Sequence, residues 1–406
     1  MKIVLLSTSD ISGGAAIACG RMAMALRKQG HEVHQLVLFK KSRDVFVEAV
    51  AGESWFAERL RDTQYFLTQK FLVKQGYQLS FNPWSGYDVS KHPLVQAADV
   101  IQLHWINHGF MGLRELKALF ALQKPVFWHM HDYWAFTGGC HYPGSCRKFE
   151  TGCGLCPALR KPIEQDETAL QLHAKQELYR INQPILVGAS AWLASEAQKS
   201  YLAKYAKVAH IPNPIDTSFY ATVAEDSLRM RLGIKPHEKV LLFAAMNTAD
   251  VRKGFKELTE ALSYLKNSSD LPLRLVVAGK SSLPGNLPYP TSSLGALNAA
   301  EMRAAYQAAD VFVIPSLEEN LPNTILESLA SGTPVVGFDA GGIPEMVIDG
   351  KSGFLAKTGE AIELGQAIEK ALLTNWPENF EEVLSTFSEE DVGLAYSQLM
   401  HQNRSI

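Results

Sequence analysis

Apolar runs in this chain are short and β-branched, and they alternate with longer stretches in which apolar residues recur every three or four positions. That alternation predicts strands buried on both faces, joined by amphipathic helices, which is a parallel α/β arrangement. The first repeat predicts a strand over Lys2–Thr8, a tight loop at Ser12-Gly13-Gly14-Ala15, a helix over Ala16–Lys28 closed by Gly30, and a strand over Val33–Phe39. A second series predicts strands at Val240–Ala244, Leu273–Ala278 and Val311–Ile314, with helices at Phe255–Lys266 and Glu301–Ala309 between them. Two Rossmann-like halves in tandem follow. Ile211-Pro212-Asn213-Pro214-Ile215-Asp216 has the rigid turn chemistry of a junction. The expected domains are therefore residues 1–210 and 211–387, followed by a last helix over Ser388–Met400 within 388–406.

The length of 406 residues exceeds what one hydrophobic core normally serves, and a hydrophobic content of 47% fills two. Because 39 Lys and Arg face 42 Asp and Glu, there is no electrostatic footprint for nucleic acid, and a charged small molecule has to be met locally. The opening residues lack the layout of a signal peptide, and no segment approaches 18 unbroken apolar residues, so the expected setting is cytoplasmic without membrane spans. Trp55 to Val73 mixes Phe66, Leu67, Phe71 and Leu72 with Arg59, Arg61 and Lys70. Such a helix suits packing on the first domain or, as a second reading, peripheral contact with the inner face of a membrane. Glu53, Glu58 and Asp62 dilute its positive charge and favour packing.

The candidate chemistry is densest between Ala309 and Glu345. The strand Val311–Ile314 runs into Pro315 and Ser316 and delivers a loop carrying Glu318 and Glu319. Pro322 and Asn323 then supply helix-start chemistry, with Ile325, Leu326, Leu329 and Ala330 as the buried face and Glu327 off it. Ligands of open α/β sheets sit at the carboxyl ends of strands, and free amides at a helix start favour an anion. A diphosphate at that terminus, with a carboxylate nearby for sugar hydroxyls, is a coherent nucleotide-sugar site. A structural helix with two exposed carboxylates is the plain alternative. Gly13 and Gly14 fall short of a full dinucleotide fingerprint, and offer either close approach to phosphate or sugar or only a tight turn.

The Glu319-x7-Glu327 spacing, followed by SGTPVV and GGIPE, resembles family 4 retaining glycosyltransferases of the GT-B fold. The resemblance implies an α/β protein with two Rossmann-like domains facing a central cleft and a last helix that crosses back to the first. It implies that Lys253 in DVRKGF contacts the diphosphate, with Arg252 as a second cation because Ala245-Met246-Asn247 stands where many members place a Gly-Arg pair. Asn213-Pro214 likewise stands where members often show Asn-Gly. His131 in FWHMHD would hydrogen-bond the sugar being transferred, and Asp132 would help position a helix or the acceptor. His104 resembles another family histidine. Glu319 would lie near the sugar hydroxyls, Glu327 would accept from the ribose, and Asn320, Leu321, Pro322 and Asn323 would line the nucleotide-sugar site.

The implied activity moves a hexose or related sugar from a UDP- or GDP-linked donor to a glycan or lipid-linked oligosaccharide in capsule, exopolysaccharide or lipopolysaccharide synthesis. No catalytic cofactor is implied, since Arg252, Lys253 and helix amides replace a metal cation. The rival readings are a nucleotide-sugar 2-epimerase on the same fold and a catalytically silent nucleotide-sugar-binding protein. Four of five cysteines, Cys140, Cys146, Cys153 and Cys156, fall in one short segment. A Cys-x2-Cys step with two upstream thiols suits a structural Zn²⁺, while free thiols, a redox pair and an iron–sulfur cluster stay open. The segment resembles an insertion carried by a subgroup of bacterial surface-polysaccharide transferases. Cys19 reads as core.

Overall fold

Strands with no polar face need cover on both sides, and the first sheet shows why: β1 (Lys2–Ser9), β4 (Val100–Leu103), β5 (Val126–Met130) and β6 (Ile185–Gly188) are buried along almost their whole length. The computed structural model describes residues 1–50, 55–82, 86–220, 226–280 and 286–404. Two units divide the chain, Met1–Pro214 with Glu389–Ile406, and Ile215–Ser388.

Among the described residues the first unit adds β2 (Glu32–Phe39), β3 (Val47–Ala49) and β7 (Lys207–His210) to a parallel sheet of order β3-β2-β1-β4-β5-β6-β7. The order reverses between β1 and β4, the place where doubly wound sheets open a crevice at their carboxyl edge. The helix Glu389–Gln402 closes the opposite layer: Val392, Tyr396 and Met400 are buried with Ile3, Leu5, Cys19 and Met22. Its approach to the helix Gly14–Lys28 is close because Gly393 lacks a side chain, and a Cβ there would lie 2.7 Å from the Ala25 carbonyl oxygen. That first helix starts two residues earlier than the pattern predicts, because Gly13, at φ 96°, already serves as its N-cap.

The second unit holds β8 (Lys239–Asn247), β9 (Leu273–Lys280), β10 (Thr291–Gly295), β11 (Val311–Ile314), β12 (Val335–Phe338) and β13 (Gly353–Ala356). They form a parallel sheet of order β10-β9-β8-β11-β12-β13, which reverses between β8 and β11. Both sheets are thus Rossmann-like, and the α/β expectation holds in each unit. The predicted strand at Val240–Ala244 runs on to Asn247, because after an irregularity the ladder resumes at Asn247 opposite Lys280.

The stretch at Trp55 forms a helix over Trp55–Phe71, with Arg61 buried and Phe66 and Phe71 about 60% exposed. Among the described residues no helix is long and apolar enough to cross a membrane.

Candidate functional site

The reversal in the second sheet brings the loops after β8 and β11 side by side, since these strands pair from Leu241 opposite Val311 to Phe243 opposite Val313. After β8, Asp250 caps a short turn over Val251–Lys253 by accepting from the Arg252 amide at 3.1 Å. The same carboxylate accepts from the Arg252 guanidinium at 2.7 Å, so this cation is compensated by its own turn. The Arg252 carbonyl in turn accepts from the Leu317 amide at 2.8 Å, which docks the turn on the loop after β11. Lys253 points elsewhere: its ammonium contacts Glu319 Oε2. Of the two cations read from DVRKGF, Lys253 thus meets the acidic loop with its ammonium, and the Arg252 carbonyl ties the turn to that loop.

Two glycines make that approach sterically feasible. Gly254 sits at φ 68°, and a Cβ there would lie 1.7 Å from the Pro315 carbonyl oxygen. Gly341, at φ 60°, would place a Cβ 1.8 Å from the Glu319 carbonyl oxygen, and Gly342 N–H donates to that oxygen at 3.1 Å. The Glu319 backbone is thus clamped by the GGIPE turn, which aims its carboxylate at Lys253.

Next comes the helix Asn323–Ala330, whose N-cap, Pro322, supplies no side-chain hydrogen bond to the first-turn amides. Asn320, Leu321, Asn323 and Glu319 are all under 10% exposed around this start. One expectation is overturned. Glu327 does not lie off the buried face: it is 7% exposed, and its Oε2 accepts from the Tyr306 hydroxyl at 3.3 Å. The cause is tertiary, since this helix packs against the helices Ala299–Ala308 and Glu381–Leu384 as well as β11 and β12, which leaves it no solvated face. A carboxylate so buried is affordable only with hydrogen-bond partners. Tyr306 carries no motif in the sequence, and only its place on the helix preceding β11 marks it.

In the first unit three imidazoles cluster at the carboxyl edge of β4 and β5. Ring centroids of His104 and His131 are 5.2 Å apart, and those of His129 and His131 5.1 Å. His104 Nδ1 and His131 Nε2 share a 3.0 Å hydrogen bond. His129, buried inside the strand, lies 2.9 Å from Asn213 Oδ1 through Nε2 and 2.6 Å from the Tyr396 hydroxyl through Nδ1. An amide oxygen only accepts, so Nε2 carries the proton and Tyr396 O–H donates to Nδ1. The pattern HMH could have flagged His129 by its strand alternation, but its partners come from far along the chain.

Burial first, then the neighbouring His129, pushes His131 down to about 3 against the pull of Asp132. Burial likewise pushes His129 down to about 4, in spite of the Asn213 bond, and His104 well below the usual histidine range. All three are neutral at ordinary pH. A histidine depressed on folding takes up its proton first in the unfolded chain, so its stabilisation is complete above about pH 6.5 and is lost as pH falls toward the folded value. His129 alone gives a slope of about 1.4 kcal/mol per pH unit in that window. Urea midpoints should accordingly fall between pH 7 and pH 5 in the intact chain, and a flat profile would refute the neutral cluster.

Asp132 follows at the strand end and caps the turn Tyr133–Phe136, accepting from Trp134 N–H at 2.8 Å. Its other oxygen accepts from Trp105 Nε1 at 3.1 Å and meets His141 Nδ1 at 2.7 Å. His141 Nε2 continues to Ser80 Oγ at 2.7 Å. Burial works to raise the Asp132 carboxyl, but His141 and these hydrogen bonds outweigh it and hold the group below the ordinary range. His104, Trp105, Asn107, His131 and Asp132 line one small cavity here. Gly13 and Gly14 start their helix after β1, the strand next to β4, and the two ends are tied by Thr8 N–H donating to the Trp105 carbonyl at 2.8 Å. The residues read from the sequence thus gather at two sheet edges, one in each unit.

All five cysteines are free thiols, and Cys19 is buried in the core as expected. Among the described residues no group of three or more His, Cys, Asp or Glu is already gathered to hold a metal.

Residues 238–374 match the family described as Glycosyl transferases group 1. The chain is 24% identical, over 80% of its length and 87% of the other, to an uncharacterized glycosyltransferase of Methanocaldococcus jannaschii. It is 30% identical to the D-inositol 3-phosphate glycosyltransferase of Corynebacterium aurimucosum, over 51% of this chain, and spans about half of that protein, 52%. Among solved structures it resembles Anabaena HepE in complex with UDP and glucose, with a TM-score of 0.65 at 17% identity, covering 99% of this chain and 100% of that one. It also resembles WaaG, a glycosyltransferase involved in lipopolysaccharide biosynthesis, with a TM-score of 0.60 at 15% identity over 98% of this chain and 99% of that one. These likenesses show the GT-B fold.

Proposed function

We infer that this chain is a group 1 glycosyltransferase that binds a nucleotide-sugar through its second unit and transfers the sugar with retention of configuration. The observation that carries the reading is the Lys253–Glu319 pair at the reversal of the second sheet, beside a helix start whose N-cap, Pro322, gives no side-chain hydrogen bond. A diphosphate anion at that start would draw Lys253 from Glu319, which frees the carboxylate to accept from hydroxyls of the sugar.

In the proposed reaction the bond between the anomeric carbon and the diphosphate oxygen breaks, and charge grows on the departing diphosphate. Lys253 and the amides at Asn323 meet that charge, which is where preorganised dipoles accelerate a reaction most. The acceptor hydroxyl oxygen bonds to the same face of the anomeric carbon, and its proton passes to the leaving phosphate oxygen. No protein nucleophile and no metal cation take part. Glu327, held by Tyr306, accepts from the ribose hydroxyls, and the neutral His131 keeps the sugar-binding role that the resemblance gives it.

UDP in the HepE complex supports a uridine nucleotide, with GDP as the second candidate. A glycan or lipid-linked acceptor of surface-polysaccharide synthesis is the proposed second substrate. Exposed Phe66, Phe71 and Leu72 around Lys70 give the first unit an apolar and basic patch that supports peripheral contact with a membrane carrying such an acceptor.

Incubating the chain with individual UDP-, GDP- and ADP-sugars tests this reading. One of them should raise the melting temperature and release its nucleoside diphosphate slowly, with or without a chelator such as EDTA. Absence of binding and release with every sugar nucleotide would sink the proposal. Release of an altered free sugar with no acceptor required would move the assignment to the 2-epimerase.

A further inference from the structure

Outside these edges, the Cys140, Cys146, Cys153 and Cys156 thiols line a single cavity in the first unit. Each is delivered by its own piece of backbone. Cys140 lies in an isolated bridge with Leu79, Cys146 closes a turn on the Pro143 carbonyl at 3.2 Å, and Cys153 and Cys156 flank the turn Gly154-Leu155. That last turn is built for its sulfurs. Gly154 stands at φ 122° and Leu155 at φ 46°, a left-handed conformation that costs a leucine on the order of 1 kcal/mol and persists only where the surroundings impose it. Lys148 imposes it by donating to the Gly154 carbonyl at 2.8 Å and the Leu155 carbonyl at 3.0 Å, and Asp166 holds the Cys156 amide at 2.8 Å.

A second observation is independent of the turn. Lys175 is fully buried, and its ammonium is held by the Trp134 and Thr137 carbonyls and lies 3.7 Å from the centre of the Trp134 ring. No carboxylate forms an ion pair with it among the described residues. Burial pushes it down to about 7; Thr137, whose carbonyl holds it, also lines the thiol cavity, and Asp132 is already occupied by His141 and Trp105. A buried ammonium without a counter-ion is costly. Four thiolates around one divalent ion carry a net charge of about −2, which Lys175 and Lys148 together would balance.

We propose that Cys140, Cys146, Cys153 and Cys156 bind one Zn²⁺ as a tetrathiolate structural site. Four sulfur ligands select zinc or iron–sulfur chemistry, and of the two a single Zn²⁺ is the smaller occupant of the cavity that they help line. Since no preformed metal-binding group is gathered among the described residues, metallation has to draw the thiols inward across this space. The site would fasten residues 138–160 and, through the neighbouring His141, steady the hydrogen bond to Asp132.

The test is metal analysis of the full chain, expressed with added zinc and dialysed against metal-free buffer. About one zinc per chain is expected, with a sulfur shell near 2.3 Å in X-ray absorption, and titration with an organomercurial should release it. Cys146→Ser and Cys156→Ser should lower occupancy at least about tenfold and depress the melting temperature. Should those variants fail to fold, the stoichiometry and sulfur shell of the unmodified chain decide alone. Unmetallated protein with four titratable thiols, a disulfide pair, or iron with acid-labile sulfide would each overturn the proposal.

Discussion

Lys253→Ala is expected to lower kcat/KM for the sugar nucleotide by about 10²–10³-fold, the usual loss when one preorganised group facing developing charge is removed. The variant also strands Glu319, whose carboxylate is mostly buried and has Lys253 as its ion-pair partner. An anion left without its cation at a phosphate subsite repels the ligand, so KM should rise along with the fall in kcat. Arg252→Ala makes the informative comparison. Its guanidinium is bonded within its own turn to Asp250, so its loss should cost less than that of Lys253. Steady-state kinetics on the sugar nucleotide found in the screen provide the measurement. A Lys253→Ala enzyme within threefold of the parent, or an Arg252→Ala enzyme that is the more impaired, would remove Lys253 from its assigned place.

Gly254→Ala should be among the most damaging one-carbon changes near the site, at about 3 kcal/mol or more of stability. About 1–2 kcal/mol of this comes from a left-handed backbone, and the rest from overlap with packed neighbours. Backbone, not a pliable side chain, occupies the space: the new methyl would lie 1.7 Å from the Pro315 carbonyl oxygen, at the carboxyl end of β11. Relieving that overlap has to push the Asp250–Lys253 turn off the loop, which breaks the Leu317-to-Arg252 hydrogen bond and carries Lys253 away from Glu319. Gly359→Ala is the internal control. It shares a positive φ, 82°, but nothing lies within 4 Å of its would-be Cβ, so only the backbone part, about 1–2 kcal/mol, remains. Urea unfolding of the two variants separates the contributions, and equal costs would show that the close approach of the turn to Pro315 carries no energy.

Much of this site was legible because its signals are local. Val311–Ile314 forms a strand within the predicted bounds, since four apolar residues between polar ones leave few other places for the chain. Lys253 ahead of Gly254 is readable in the same way, because a glycine after a basic residue at a helix start marks a turn with a cation beside exposed amides. Glu327 is the counterexample. Helical periodicity puts it off the apolar stripe, yet helices on more than one side bury it, and periodicity carries no information about how many neighbours a helix will have.

The amino-acid order by itself determined the alternation of strands and helices, the two Rossmann-like halves, and which charged residues stand near strand ends and helix starts. Each of these follows from backbone preferences and burial periodicities that act over a few residues. Tertiary structure alone decided how those charges are partnered: Arg252 with Asp250, Lys253 with Glu319, Glu327 with Tyr306. It also joined His129 to Asn213 and Tyr396 from distant parts of the chain, and set four thiols around one small cavity. Hydrogen bonds and ion pairs reach only about 3–4 Å, so their partners are selected by the strand order that brings distant segments together.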